Sequence, residues 1–193
     1  GHAAAFSFYP TKNLGALGDG GAVITRDEAV ATRVRRLRNG GQRDRYRHVE
    51  AGVNSRLDEL QAAVLRARLP LLPAWTARRR QLASRYRCEL PDAVSPIVER
   101  DPGHVYHLFP VRLPERDGLS AHLAREGIGT LIHYPVPLSA QQAFAAYEPA
   151  ECPVASAASA ELLSLPLHPR LTDADVARVA RSVSAFVKGP LPA

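Results

Sequence analysis

Lys12 is the residue whose chemistry stands out. Lysine and arginine together number 25, yet only Lys12 and Lys188 are lysines, so a position needing positive charge alone would have been filled by arginine. Guanidinium stays protonated and is a poor nucleophile, whereas a partly buried ammonium can lose its proton and condense with a carbonyl to form a Schiff base. The plain alternative is a surface lysine snorkelling beside a turn. Around Lys12 stand a hydroxyl at Ser7 and a phenol at Tyr9, followed by Gly15, Gly18, Gly20 and Gly21. A second polar group, Asn54, Ser55 and Arg56, precedes an apolar helical face, where Asn54 and Ser55 suit a helix N-cap and Arg56 suits the first turn. Farther on come His133 and Tyr134. A lone histidine is more often a satisfied structural residue than a ligand contact.

These groups need elements to hold them. Ala3 to Phe8 is an apolar run read as a buried strand, ended by Pro10, with a glycine loop leading to a second strand over 22–25. From 27 to 38, Val30, Val34 and Leu37 fall at helical spacing, with Asp27 and Glu28 at the start and Gly40-Gly41 at the stop. Residues 43–51 are polar and turn-like, and a helix with Leu57, Leu60 and Val64 on its packing face follows. Leu69-Pro-Leu-Leu-Pro breaks that helix before a longer one over 74–90, and the proline-rich stretch 91–103 reads as a connection. A strand over 105–113, a helix over 119–126 stopped by Gly127, and a strand and loop over 128–137 make a strand-helix-strand unit. A helix from 152, an extended segment 165–169 and a last helix capped at Thr172 complete the chain, with Lys188 in the final turn where a cation suits the helix dipole.

The run Phe6-Ser-Phe-Tyr-Pro-Thr-Lys-Asn-Leu-Gly-Ala-Leu-Gly-Asp-Gly-Gly-Ala-Val resembles the lysine segment of the DegT/StrS-type family of pyridoxal-phosphate-dependent sugar aminotransferases. The segments Gly52-Val-Asn-Ser-Arg, His133-Tyr-Pro and Leu163-Ser-Leu-Pro-Leu-His-Pro are similar to that family as well, so the likeness covers nearly the whole chain. It implies an α/β fold of the PLP-dependent transferase fold type I, aspartate-aminotransferase-like. Residues 1–92 would be the C-terminal part of the large cofactor domain with a long connecting helix, and 93–193 the small C-terminal α/β domain. It implies that Lys12 anchors pyridoxal 5'-phosphate and is the catalytic base, that Ser7 bonds the cofactor phosphate, and that Asn54 reaches across a homodimer to the neighbouring cofactor's phosphate. Arg56, His133 and Tyr134 would contact substrate, and so would Tyr9, which stands where many relatives carry histidine. The implied reaction moves an amino group, from glutamate by family precedent, to a ketone on a nucleotide-linked sugar. The Tyr-Pro-x-Lys-Asn-Leu-Gly form resembles most the branch acting on 3-keto-6-deoxyhexoses linked to thymidine diphosphate. Lys12 argues against the related dehydratase branch, where histidine replaces lysine.

Composition narrows the remaining classes. With 193 residues and 46% hydrophobic content the chain can bury a sizeable core. No stretch approaches the ~18 apolar residues of a membrane span, and no secretory signal pattern opens the chain, which leads to a cytoplasmic expectation. Cys88 and Cys152 lack metal or disulfide spacing and are expected to be free thiols. The sequence contains no methionine, and the family's partner for the pyridine nitrogen lies upstream of the lysine. A fragment of a longer enzyme, not competent alone, is therefore expected. The net charge of +6 raises a nucleic-acid partner, but acids interleave the arginines and no nucleic-acid module is present. A non-catalytic remnant or regulatory partner of such an enzyme is the other alternative.

Overall fold

The computed structural model describes residues 1–189. Its contacts divide the chain into two compact units, Gly1–Ala74 and the residues from Trp75 onward.

In the first unit β1 (Ala3–Ser7) pairs antiparallel with β2 (Gly21–Thr25), Ala3 opposite Thr25 and Ser7 opposite Gly21. The expected strand is there, but it is not buried. All five residues of β1 are exposed, and Phe6 at 51% and Ile24 at 57% show large apolar side chains to solvent. An apolar run is covered only when a second layer lies over it, and within this unit α1 (Glu28–Leu37) packs mainly beside β2.

Helix α1 begins as its sequence dictates. Asp27 Oδ1 accepts from the backbone N–H groups of Ala29 at 2.8 Å and Val30 at 3.3 Å, satisfying donors that the first turn leaves open. It ends at Leu37 with Arg38 as its C-cap, and Gly40 and Gly41 just beyond, whose φ values of 69° and 76° lie in the left-handed region, turn the chain away. The polar stretch after it folds into a small hairpin of β3 (Gln42–Asp44) and β4 (Arg47–His48). Glu50 then sits between Arg33 at 3.3 Å and Arg36 at 3.0 Å.

Helix α2 (Glu59–Arg68) starts later than the Asn54 and Ser55 capping signal suggests, with Asp58 at its N-cap. Competition from α1 is the reason. The carbonyls of Leu37 and Arg38 accept from the N–H groups of Val53 and Ser55, both at 2.8 Å. Residues 53–55 are thereby held extended against the end of α1. Nor does Leu69-Pro-Leu-Leu-Pro end the helical path, because a single 3-10 turn, Leu69–Leu71, leads straight into α3 (Leu72–Glu89). Pro70 and Pro73 occupy first-turn positions, where a missing N–H costs nothing.

The second unit is built on an antiparallel sheet in the order β5 (Ser95–Pro96), β6 (Phe109–Arg112), β7 (Leu162–Leu165). Helices α4 (Arg116–Arg125), α5 (Pro153–Glu161) and α6 (Asp173–Lys188) accompany it. Leu82 and Tyr86 of α3, Phe109 and Val111 of β6, Leu123 of α4 and Val183 of α6 belong to one core. The expected strand over 105–113 shortens to β6. The one expected over 128–137 reduces to a bridge between Leu131 and Ser164, since Pro135 and Pro137 have no N–H to offer a ladder. Arg79 lies inside this unit, donating through Nη1 to the carbonyls of Tyr106 at 3.2 Å, His107 at 3.3 Å and Leu167 at 2.9 Å. Cys88 and Cys152 are free thiols, as expected. Among the described residues no helix is long and apolar enough to cross a membrane.

Thr172 and Asp175 form the capping box of α6, each side chain bonded to the other's backbone N–H. Bonds from the Thr172 hydroxyl and N–H hold the Asp175 carboxyl below its ordinary pKa. Asp173 is likewise lowered, first by its hydrogen bond from Arg78 and further by the charges of Arg78 and Arg85. Each contributes stability that is present above the unfolded carboxylate pKa, near ~4, and is lost as pH falls through the lower folded value. The urea midpoint of this unit is therefore expected to fall on acidification through that window. Asp173→Asn should flatten the acid limb without moving the midpoint's pH dependence above neutrality.

Candidate active site

Lys12 occupies the last position of a tight turn, Tyr9-Pro-Thr-Lys12. Its backbone N–H donates to the Tyr9 carbonyl at 2.9 Å, and Pro10 supplies the φ that such a turn wants at its second position. The side chain of Lys12 is half-buried. The loop that carries it is closed at its root, with the Phe8 N–H donating to Gly20 O at 2.7 Å and the Ala16 N–H to Phe8 O at 2.8 Å. Gly15 is required by a close approach, since a Cβ there would stand 2.4 Å from Pro10 O.

Ser7 ends β1, and its Oγ accepts from the Tyr9 N–H at 3.3 Å. Accepting leaves the hydroxyl proton available for donation. Tyr9 is half exposed, at 51%. The structure thus brings Ser7, Tyr9 and Lys12 together on one strand end and its turn.

Asn54 and Arg56 fall elsewhere in the same unit. They line a groove of about 1190 Å³ together with Phe6, Phe8, Arg35 and Arg38, whereas Ser7, Tyr9 and Lys12 are not among its lining residues. Asn54 is fixed by a bridge to Asn39, and Arg56 Nη1 donates to Asn39 Oδ1 at 2.8 Å. His133 and Tyr134 belong to the second unit. His133 Nδ1 lies 2.9 Å from Ser164 Oγ of β7, and its ring meets that of Tyr134 edge-on at 5.4 Å and 87°. The bond to buried Ser164 gives His133 the structural anchor expected of a lone histidine, and leaves Nε2 for anything further. Among the described residues no cluster of three or more histidine, cysteine or acidic side chains could hold a metal ion.

Two side chains at this site escaped sequence reasoning. Gln61 Oε1 accepts from the Leu17 N–H at 2.8 Å, and Arg68 Nη1 donates to Gly15 O at 2.5 Å and Ala16 O at 3.4 Å. Both come from α2, of which the sequence reading singled out only the packing face of Leu57, Leu60 and Val64.

The mixed α/β architecture is that of PLP-dependent aminotransferases of fold type I. A crystal structure of Streptomyces venezuelae DesV in complex with a ketimine intermediate superposes with a TM-score of 0.89 at 46% identity, over 98% of this chain and 53% of that one. The chain belongs to the DegT/DnrJ/EryC1/StrS aminotransferase family, whose profile matches residues 1–184. Among its relatives, the erythromycin biosynthesis sensory transduction protein EryC1 of Saccharopolyspora erythraea is 51% identical over 89% of this chain and 48% of its own length. The dTDP-3-amino-3,4,6-trideoxy-alpha-D-glucose transaminase of Streptomyces venezuelae is 49% identical over 96% of this chain and 50% of its own. The chain spans about half the length of the curated relatives it matches.

Proposed function

We propose that this chain supplies the lysine-bearing part of a PLP-dependent aminotransferase that passes an amino group, with glutamate as donor, to the keto group of a nucleotide-linked deoxysugar. A dTDP-linked 3-keto-6-deoxyhexose is the substrate class favoured by the Tyr9-Pro-Thr-Lys-Asn-Leu-Gly segment and by similarity to the dTDP-3-amino-3,4,6-trideoxy-alpha-D-glucose transaminase of Streptomyces venezuelae. The observation that carries the reading is half-buried Lys12 on a closed turn that follows the Ser7 end of β1. Residues 1–92 are assigned to the cofactor domain and its connecting helix, and 93–193 to the small domain.

The donor set fits the cofactor. Its aldehyde needs a primary amine, which Lys12 has, and its phosphate needs hydrogen-bond donors, of which Ser7 retains one. When bound, pyridoxal phosphate supplies the electron sink that lets a proton leave a carbon next to nitrogen. The protein's part is position and proton transfer. With the cofactor bound, Lys12 Nζ would be the base that takes the proton from the donor carbon, and the same nitrogen would serve the reverse transfer on the ketosugar. Tyr9, half exposed beside it, orients substrate through its hydroxyl. Asn54, standing in the groove away from its own Lys12 turn, serves a second copy's phosphate in a homodimer. Arg56, held by Asn39, keeps guanidinium N–H groups for a carboxylate or a substrate phosphate. His133 Nε2 and the exposed Tyr134 hydroxyl are assigned to the sugar or its phosphates. Such an enzyme works in the cytoplasm, where nucleotide sugars are made.

Borohydride reduction of the full-length protein tests the assignment. A pyridoxyl group should be fixed on the peptide containing Lys12, and a label on another lysine or none at all would refute it. Gly15→Ala supplies a geometric check. Because its Cβ would collide with the Pro10 carbonyl, the turn must move, and displacement on the ångström scale can cost ~10²-fold. Cofactor retention measured by dialysis and absorbance is expected to drop at least tenfold in that variant, by roughly the same argument.

A further inference from the structure

The glycine loop does not hang from β1 alone; it lies along α2 in the opposite direction. Arg68, the last residue of α2, holds the carbonyls of Gly15 and Ala16. Gln61, in the first half of the helix, receives the Leu17 N–H and touches Gly18, where a Cβ would sit 3.3 Å from Gln61 Nε2. Leu57, just before the helix, fills the space at Gly20, where a Cβ would come within 2.9 Å of its Cδ1. Every contact thus falls on the segment between Lys12 and the root of the loop. Ala16, at the centre, is only 1% exposed, although β1 beside it is bare. Arg68 and Gln61, two turns apart on α2, converge on one stretch of backbone, for the Ala16 carbonyl and the Leu17 N–H belong to the same peptide unit.

From this clasp we infer that Gln61 and Arg68 are positioning residues that fix the place of the Lys12 amine, a role that rests on the cofactor-anchoring reading of Lys12. Neither reaches the reacting atoms. The turn at Tyr9 sets the direction of the lysine, while the two α2 side chains prevent the far half of its loop from sliding along the helix. Arg68 uses one nitrogen for two carbonyls, an arrangement that lysine, with a smaller and more mobile head, reproduces poorly. Gln61 acts here through its carbonyl oxygen, so glutamate, which keeps an acceptor in the same place, substitutes for it.

The test uses the full-length protein with Gln61→Leu, Gln61→Glu and Arg68→Lys, so that no conclusion depends on one variant folding. In cofactor-free protein, amide exchange of the peptide containing Leu17 should quicken roughly tenfold in Gln61→Leu, and stay near wild type in Gln61→Glu. With cofactor and ketosugar, kcat should fall ~10-fold to 10²-fold in Gln61→Leu and Arg68→Lys while KM changes little. The pH at which the bound chromophore titrates should move with kcat, and Gln61→Glu should restore both. Faster exchange with unchanged kcat and chromophore titration would overturn the inference, leaving a merely structural clasp. Unchanged exchange would overturn it too. Should borohydride fix no label on wild-type Lys12, the underlying reading fails instead, and the exchange result on cofactor-free protein keeps the two failures apart.

Discussion

Lys12→Ala in the full-length protein is expected to reduce kcat/KM for amino transfer by ~10⁴-fold or more. A positioned base contributes up to ~10⁴-fold, and in the proposed role the same nitrogen would also provide the covalent anchor, so both effects would be lost together. At the barrier this corresponds to at least ~5 kcal/mol. The turn that carries Lys12 is closed by its backbone N–H, which every substitution but proline keeps, so circular dichroism is expected to retain the wild-type spectrum. Lys12→Arg is the sharper variant, because it preserves charge and length while withholding a nucleophilic amine. It should be as inactive as alanine in a coupled assay with glutamate and a panel of nucleotide-linked ketosugars. Turnover retained by either variant would remove the catalytic assignment, and with it the reason that arginine was not used at this position.

Phe109→Ala is expected to have the largest effect on stability, about 3–5 kcal/mol. Phe109 is completely buried in the middle strand of the second unit's sheet. Its ring stacks on Tyr86 at 4.9 Å and 24°, lies 6.5 Å from Tyr106, and receives the Arg87 guanidinium at 5.9 Å. Removing it leaves a cavity between α3 and β6 whose walls are tied elsewhere: the Tyr86 hydroxyl donates to Pro166 O at 2.9 Å, and Tyr106 is bonded to Glu99. Walls so held cannot collapse into the gap, which puts the loss toward the upper end of that range. Against the 5–15 kcal/mol typical of a domain, much of the unit's stability would go. Phe109→Leu, which keeps most of the volume, should lose roughly 1–1.5 kcal/mol. Val98→Ala, at a residue 76% exposed, should stay within about 0.5 kcal/mol of wild type. Urea unfolding followed by near-UV circular dichroism reads all three.

How much of this could be read beforehand depended on how local the determining forces are. Thr172 at the head of α6 was readable because a cap is decided within four residues, and so was the acidic start of α1, where Asp27, expected in the first turn, is the cap itself. The lysine turn was readable for the same reason, with Pro10 and the glycines written next to the residue they serve. Non-local competition defeated the rest. Asn54 and Ser55 look like caps until the carbonyls at the end of α1 claim the N–H groups of Val53 and Ser55. Strand β5 is two residues, one of them proline, and pairs only because β6 lies beside it. Leu131 finds a single partner in Ser164, so an apolar run that reads as a strand stays a bridge. Gln61 and Arg68 carried no signal at all, because a polar residue on a helix looks the same whether it faces solvent or grips a backbone carbonyl.

The bare ribbon of β1 and β2 has a practical corollary. Phe6, Val23 and Ile24 are wetted, and a strand pair so dressed is sticky toward any passing backbone that can lie alongside it. Handled at high concentration without a cover, these residues would be the place where molecules of this chain first adhere to one another.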